Sequence, residues 1–259
     1  MIERLDRIDP VKSNFILTGF IPLPVGAVTI LNSDGGQGKS RLSFLLADKL
    51  ASIERSNSLI WTTEDSAGQV RTAFDELVYA GMAQKKNMKH IYLVMRDAVQ
   101  LAYSERGVFK PNTEEIKKIS DHVIDIDAKM LVLDPLLSFY GGNENDNSQA
   151  DIFMLSLVRI AQICSIAILL IHHNRKGLGE KDANTFRGAT AFHNKCRCRY
   201  SLSACKLPNG DVDLVKHQQG IRVLKLEKDS WGVIKYFSKL SDGKIETEIK
   251  VMPERDKWI

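Results

Sequence analysis

The chain has 259 residues, of which 44% are hydrophobic and 26% are charged, and its formal net charge at pH 7 is +4. These values exclude a chain dominated by disorder, and the length suits one large α/β domain. No apolar run reaches the ~20 residues of a membrane span, and the first residues lack a basic-then-apolar signal pattern. We therefore expect a cytoplasmic protein without membrane contact, whose mild basic excess is compatible with nucleotide or nucleic-acid binding.

The four cysteines are too few for a disulfide framework in a chain of this length, and we expect reduced thiols. Cys196, Cys198 and Cys205 lie close to His193 in sequence, which raises zinc binding as an alternative. The segment has no C-x-x-C pair, and thiols at i and i+2 of a strand point to opposite faces. Zinc binding is therefore the less favoured interpretation.

The first part of the chain leads into a glycine-rich turn. Residues 1–26 are expected to be a lead-in that packs on the core. The apolar run 27–31 predicts a strand, and the periodic apolar positions of 42–53 predict a helix. Between them, 33–40 reads Ser-Asp-Gly-Gly-Gln-Gly-Lys-Ser. A strand, a tight turn and a helix in this order are typical of a loop that holds phosphate at a helix N-terminus.

This turn has the residues that polyphosphate binding requires. Its glycines allow backbone angles closed to other residues, so successive N–H groups can turn inward around a phosphate. Lys39 would place an ammonium on the β- and γ-phosphates, and the Ser40 hydroxyl would be a ligand of Mg²⁺. The pattern G-x-x-x-x-G-K-[ST] is met except at its first position, where Ser33 replaces glycine. An ordinary glycine-rich turn, the alternative, would need no Gly-Lys-Ser at its end. The residues predicted to bind the nucleotide here are Ser33, Gly35, Gly36, Gln37, Gly38, Lys39, Ser40 and Arg41.

Strands and helices then alternate. The predicted strands are 58–63, 90–95, 130–133 and 165–171, and the predicted helices are 67–83, one from the cap Asn112 to Ile126, and 149–163. Strands that are apolar on both faces and alternate with helices predict a mostly parallel sheet covered on both sides. Ligands of such sheets bind at the carboxyl ends of the strands, where the glycine-rich turn, Glu64, Asp134 and His173 all fall.

These polar residues suggest roles in nucleotide hydrolysis. Asp134 follows four apolar residues and suits a carboxylate that holds Mg²⁺ through its water shell, rather than a mere turn former. Glu64 is the candidate base for the attacking water, with Asp65 as the rival and two solvated loop acids as the alternative. His173 could sense the γ-phosphate, or be only a surface residue. Alternation along the strand turns only one of His172 and His173 toward the site.

From residue 198 the pattern changes to short strands joined by turns. The predicted strands are 199–202, 212–215, 221–226, 233–237 and 244–251. They predict an antiparallel extension of the sheet, so that 198–259 is a β-rich part of a single domain spanning 1–259. At its start, period-two spacing puts Lys195, Arg197 and Arg199 on one side of a strand. An arginine far from its own phosphate loop could serve a neighbouring subunit, whereas without assembly this cluster is only a solvated basic face.

The order and spacing of several motifs carry a resemblance to a known family. They are 33–40, Glu64-Asp65, 131–134, 170–173 with Lys176-Gly177, Arg187-Gly188, Arg197, and Lys228 with Gly232. On these residues the chain resembles a RecA-type ATPase, and within that group the RepA-type hexameric replicative helicases of broad-host-range plasmids. The resemblance spans about residues 25–235, and Ser33 is shared with that family. It implies a RecA-like P-loop NTPase core with a mostly parallel sheet flanked by helices.

The resemblance also implies ATP and Mg²⁺ as cofactors and assigns roles at the phosphate end. Lys39 and Ser40 would bind phosphate and metal, and Glu64 would be the catalytic carboxylate. Asp134 would be the second-element aspartate that holds Mg²⁺ through water, and His173 would sense the γ-phosphate.

By the same resemblance, Arg197 would be a finger that reaches the ATP of the next subunit, where Lys228 could join it. The Cys-Arg-Cys-Arg-Tyr sequence around Arg197 differs from the family's arginine-aromatic context, so Arg199 stays open as the finger.

Members of that family form six-membered rings that move on single-stranded DNA. We therefore expect a homo-oligomer, a hexameric ring, that hydrolyses ATP as a DNA helicase in replication, with 5'-3' or undetermined polarity. Basic residues of the loops 141–149 and 174–186 would hold DNA phosphates. The alternatives are a RecA-fold ATPase without unwinding activity, such as a recombination mediator or a regulatory or signalling ATPase, and a nucleotide-binding scaffold that does not hydrolyse ATP.

Overall fold

The computed structural model describes residues 14–18, 20–94, 97, 99–174, 190–231 and 245–252. The strands are β1 (Phe15–Ile16), β2 (Leu23–Pro24), β3 (Ala27–Ser33), β4 (Asn57–Thr62), β5 (Ile91–Leu93), β6 (Ala102–Glu105), β7 (Val108–Pro111), β8 (Ala128–Asp134), β9 (Tyr140–Gly141), β10 (Ala167–His173), β11 (Cys198–Ala204), β12 (Ile221–Asp229) and β13 (Ile245–Lys250). The helices are α1 (Lys39–Glu54), α2 (Ala67–Tyr79), α3 (Thr113–Asp125), α4 (Leu136–Phe139), α5 (Asn147–Cys164), α6 (Thr190–Lys195) and α7 (Leu214–Gln218), with a 3₁₀ helix at Lys85–His90.

An eight-stranded sheet forms the centre of the molecule, in the order β5-β4-β8-β10-β3-β11-β12-β13. The strands from β5 to β11 are parallel to one another, and β12 and β13 are antiparallel to their neighbours. This confirms the predicted α/β fold with a mostly parallel sheet and an antiparallel extension. It is the architecture of a P-loop NTPase core.

The sheet is buried on both faces, because successive residues of its strands enter two different hydrophobic cores. In β8, Met130 and Val132 pack in the core with α1 and α2, whereas Leu131 and Leu133 pack in the core with α3 and α5. The lead-in packs on the α1 face as expected over the part described, where Leu23 is fully buried. A continuous apolar strand is what two covered faces require.

Side-chain caps set where three of the covering helices begin. Ser66 and Gln69 form a reciprocal capping box at α2, and the Asn112 side chain accepts a hydrogen bond from the Glu115 N–H at α3. Asp146 accepts from two backbone N–H groups at the start of α5. Each cap satisfies donors that the first turn of a helix leaves unpaired. Within the described part of the chain, no helix is both long and apolar enough to cross a bilayer.

Two predictions near the C-terminal extension are wrong. The segment 212–215 is not a strand, because Asp213 accepts a hydrogen bond from the Lys216 N–H and opens α7. The apolar residues of this segment, Val212, Leu214 and Val215, are exposed. Neither Lys195 nor Arg197 shares a strand with Arg199, since Lys195 ends α6 and β11 begins only at Cys198. The predicted strand 233–237 lies outside the described residues.

Smaller differences concern helix and strand ends. Helix α2 ends at Tyr79 rather than at 83, because the chain reverses at Gly81, whose φ of +69° is open to glycine. Strand β5 is shorter than predicted. The three-stranded sheet β7-β6-β9 was not predicted, since its strands have four residues or fewer and carry little periodicity.

Candidate nucleotide-binding site

The candidate site lies at the carboxyl edge of the parallel sheet. Strand β3 ends at Ser33 and runs through the glycine-rich loop into α1. The neighbouring strands β10, β8 and β4 end at His173, at Asp134 and just before Glu64. Because these four strands are adjacent and parallel, the side chains that follow them meet above the edge.

The loop leaves the first turn of α1 open to an anion. Gly38 is the N-cap of α1, with φ of +92° and no side-chain hydrogen bond to the helix. The first N–H groups of a helix have no partner within it and favour a negative ligand. The backbone angle of Gly38 favours glycine at this position, and a β-carbon there would be in tight contact, 3.0 Å, with Cγ2 of Val251. Gly36 has φ of +73° but open space around it.

The Lys39 ammonium is held back against the loop that precedes it. Its Nζ donates to the Ser33 hydroxyl at 2.9 Å, to the Ser33 carbonyl at 3.2 Å and to the Asp34 carbonyl at 3.1 Å. Burial lowers the pKa of Lys39, while Asp134, Glu64 and Asp34 act in the opposite direction. A glycine at position 33 could not supply the hydroxyl, which gives the departure from the general motif a physical role.

The side chains of Ser40 and Asp134 are in contact, as binding one Mg²⁺ ion together would require. The Ser40 Oγ donates to Oδ2 of Asp134 at 2.7 Å, and Asp134 is only 2% exposed. Burial raises the pKa of Asp134 to about 6, opposed by the Ser40 hydrogen bond and aided by the negative charge of Glu64. Its Oδ1 is buried without a hydrogen-bond partner among the described residues. A hydroxyl beside a carboxylate with a spare buried oxygen is an oxygen donor set that fits Mg²⁺.

A polar chain connects the lysine to the candidate base. His173 Nδ1 lies 3.3 Å from Lys39 Nζ, and His173 Nε2 lies 3.3 Å from Oε1 of Glu64. A neutral imidazole that accepts from the ammonium at Nδ1 carries its proton at Nε2, where it can donate to the carboxylate. His172 instead points to the other face and is 1% exposed beside Phe192. Of the two candidate bases, Glu64 rather than Asp65 makes the contact with His173.

These groups line one cavity of about 640 Å³. Besides the loop, Glu64, Asp65, Asp134 and His173, its wall includes residues of α1 and α2 and, after β13, Met252. Arg41 lines it too and forms an ion pair with Glu76. Ser33, Gly35 and Gln37 belong to the loop but not to the cavity wall.

The predicted finger residues lie at the opposite edge of the sheet. The Arg197 N–H donates to the Val28 carbonyl, and Leu202, five residues further on, pairs with Ser33. At about 3.3 Å per residue, Arg197 lies roughly 16 Å below the start of the phosphate loop. Arg197 is exposed and cannot reach the cavity of its own chain.

Arg199, the alternative finger, and Lys228, predicted to join the finger, are more constrained than Arg197. Arg199 is partly buried, 3.8 Å from Glu227, and burial lowers its pKa. The Lys228 ammonium donates to the carbonyls of His193 and Asn194 at 2.7 and 2.9 Å, which ties the end of α6 to β12. Lys228 is therefore outside its own nucleotide cavity, and a nucleotide contact would have to be with another subunit.

Two contacts at the site have no signal in the sequence. Asn174 accepts from Asn32 and donates to Asp34, which braces the phosphate loop from β10. Val251 and Met252 follow β13, more than 200 residues after the loop, and lie against Gly38. No local pattern brings such distant residues together, so only the register of the sheet shows these contacts.

The cysteines do not form a metal site in the structure. Within 14–174 and 190–252, as far as those ranges are described, no group of three His, Cys, Asp or Glu side chains could hold a metal ion. Burial raises the pKa of Cys196 to about 11 and also raises that of Cys198. These thiols are protonated at neutral pH.

A family model described as an AAA domain matches residues 6–179. The chain belongs to the AAA domain family. The match covers more than half of the chain and contains the phosphate loop, Glu64, Asp134 and His173. It supports a nucleotide-hydrolysing ATPase and implies nucleotide and usually Mg²⁺ binding. A search of curated proteins found no match. The narrower resemblance to RepA-type helicases therefore stays a prediction, and Arg197 and Lys228 lie beyond the matched part of this AAA domain.

Proposed function

We propose that the protein hydrolyses ATP with Mg²⁺ at a site completed by a second copy of the chain, and that the resulting ring works as a motor on single-stranded DNA. The observation that carries the ATPase part is the meeting of Lys39, Ser40, Asp134, Glu64 and His173 in one cavity at one sheet edge. The fold and the family match also indicate a nucleotide-hydrolysing ATPase.

Each residue has a distinct task in this reaction. The open N-terminus of α1 and Lys39 bind the β- and γ-phosphates, and Ser40 with Asp134 would hold Mg²⁺, which neutralises charge on the phosphates. Glu64 orients and deprotonates the attacking water. When Lys39 turns from its loop carbonyls to the γ-phosphate, its contact with His173 changes. The link between His173 and Glu64 passes that change to the base.

The proposal of a shared site is supported by the position of Arg197. Transition-state charge on the γ-phosphate is commonly stabilised by an arginine, and this one is exposed and about 16 Å from its own loop. Only a second copy could bring it to a phosphate. The molar mass of the protein, measured by light scattering with and without ATP and Mg²⁺, tests this part. A mass that stays that of one chain under all conditions would contradict it.

The DNA part of the proposal depends on a basic loop outside the described residues. The predicted contact segment 141–149 contains no lysine or arginine, contrary to expectation. It is instead tied down by Tyr140, whose hydroxyl donates to the Asn143 carbonyl, and by Gln149, which accepts from the Asn143 N–H. Arg175, Lys176 and Lys181 would have to make the phosphate contacts. We expect single-stranded DNA to raise the ATPase rate at low salt, and the effect to fade as salt rises.

The acidic character of 141–149 favours a second candidate, an ATPase that assembles on a partner without unwinding DNA. A strand-displacement assay separates the two. DNA-stimulated hydrolysis with unwinding supports the motor. Hydrolysis that ignores DNA, with no displaced strand, supports the second candidate.

A further inference from the structure

The nucleotide cavity is larger than a triphosphate alone requires. The side chains of Lys39, Ser40, Asp134, Glu64 and His173 account for phosphates, metal and water. The rest of the cavity wall comes from α1 and α2, where Arg41 forms an ion pair with Glu76, and from Met252. The nucleoside of a bound nucleotide has to lie against this remaining wall.

Met252 is placed against the phosphate loop by the pairing of the C-terminal strand. From the position of a β-carbon on Gly38, Cγ of Met252 is 3.4 Å away and its Sδ is 3.5 Å away. Val251, the preceding residue, is fully buried and donates its N–H to the Gly220 carbonyl at 2.9 Å. A β-carbon on Gly220 would lie 2.0 Å from the Met252 carbonyl oxygen, so glycine there lets the strand come this close. The thioether is thus fixed beside the helix N-terminus that receives the phosphates.

A thioether in this position is suited to the flat face of a base. Methionine sulfur is polarisable and makes favourable contacts with aromatic rings at about 5 Å. Thr72 and Ala73, two of the smaller residues of α2, line the same cavity as Met252.

We propose that Met252 is the platform on which the nucleobase packs in this cavity. This inference rests on the proposed nucleotide-binding function and adds to it the residue that recognises the base. On this proposal the phosphates are bound by Lys39 and the first turn of α1, and not by Met252.

The test compares two ligands, Mg-ATP and magnesium tripolyphosphate, by calorimetry on the full chain. Replacing Met252 by alanine is expected to weaken ATP binding by about two- to tenfold, the range of a sulfur–aromatic contact, and to leave tripolyphosphate affinity unchanged. Met252→Leu, which keeps an apolar contact of similar volume, should recover part of the ATP affinity. Met88→Ala is the matched control, because Met88 is also a half-buried methionine packed on the α1 face, away from the cavity. It should change neither affinity.

The outcomes separate this inference from the function it rests on. If the unaltered chain binds neither ligand, both the nucleotide site and the platform are wrong. If it binds ATP and Met252→Ala binds ATP equally well, the platform alone is wrong. Equal losses for ATP and tripolyphosphate would also overturn it, because they would show that Met252 supports the loop rather than the base.

Discussion

Replacing Asp134 by asparagine should stabilise the nucleotide-free protein while it destroys the metal site. Burial raises the pKa of Asp134 from 3.8 to about 6, so the folded state holds the proton more tightly than the unfolded state does. The stability that goes with the protonated form is fully present below pH 3.8 and is lost as the pH rises through 6. Asparagine is uncharged like the protonated carboxyl and keeps an oxygen that accepts from the Ser40 hydroxyl. The free energy of unfolding of the variant should therefore not fall over this pH range.

The size of the effect follows from the shift in pKa. A difference of two units between the folded and unfolded states corresponds to about 3 kcal/mol in the free energy of unfolding at pH 7 and above. We therefore expect Asp134→Asn to be more stable than the parent by up to this amount at pH 8, and by much less at pH 4.

Urea unfolding of both chains at pH 8 and pH 4, without Mg²⁺ or nucleotide, measures this difference. Asp65→Asn is the matched control, because Asp65 is an exposed acid in the same cavity and should change stability by no more than about 0.5 kcal/mol at either pH. An Asp134→Asn chain that is less stable than the parent at pH 8, or whose difference does not depend on pH, would refute the assignment of Asp134 as a buried carboxylate awaiting a cation.

Two further substitutions test other parts of the site. Glu64→Gln keeps the shape of the side chain but cannot take a proton, so turnover should fall by at least ~100-fold. ATP binding, measured by calorimetric titration, should persist. Unchanged turnover would exclude Glu64 as the base. Ser33→Gly removes the buried hydroxyl that accepts from Lys39, so urea unfolding should show a loss of about 1–2 kcal/mol with ATP affinity retained. Undiminished stability would mean that the two loop carbonyls hold the ammonium on their own.

Much of the phosphate end of the site could be predicted because its chemistry is local in sequence. The Gly38-Lys39-Ser40 turn can be predicted because glycine and a charged residue lie between a predicted strand and a predicted helix. Asp134 can be predicted because it follows an apolar run. Their meeting followed from one rule, that parallel strands end at a common edge. The sheet order and the hydrogen bond between Ser40 and Asp134 agree with it.

The remaining features depend on register and on tertiary packing, which local patterns do not encode. Met252 reaches Gly38 only because β13 pairs with β12 and β12 with β11. The alternation of Val212 and Leu214 predicts a strand where the structure has α7, because a cap at Asp213 determines the local structure. Spacing alone likewise predicts a strand position for Lys195, which instead ends α6.

The central claim is that a phosphate loop on one chain works with an arginine from another, and mixing two inactive variants tests it most directly. Lys39→Ala should lose nucleotide binding, and Arg197→Ala should bind ATP without hydrolysing it. In equal mixtures, about a quarter of the interfaces in a randomly assembled ring would join an intact loop to an intact arginine. With subunit exchange shown by energy transfer between labelled chains, we predict that ATPase activity returns to roughly that fraction. Verified exchange without any recovery of hydrolysis would contradict the shared site.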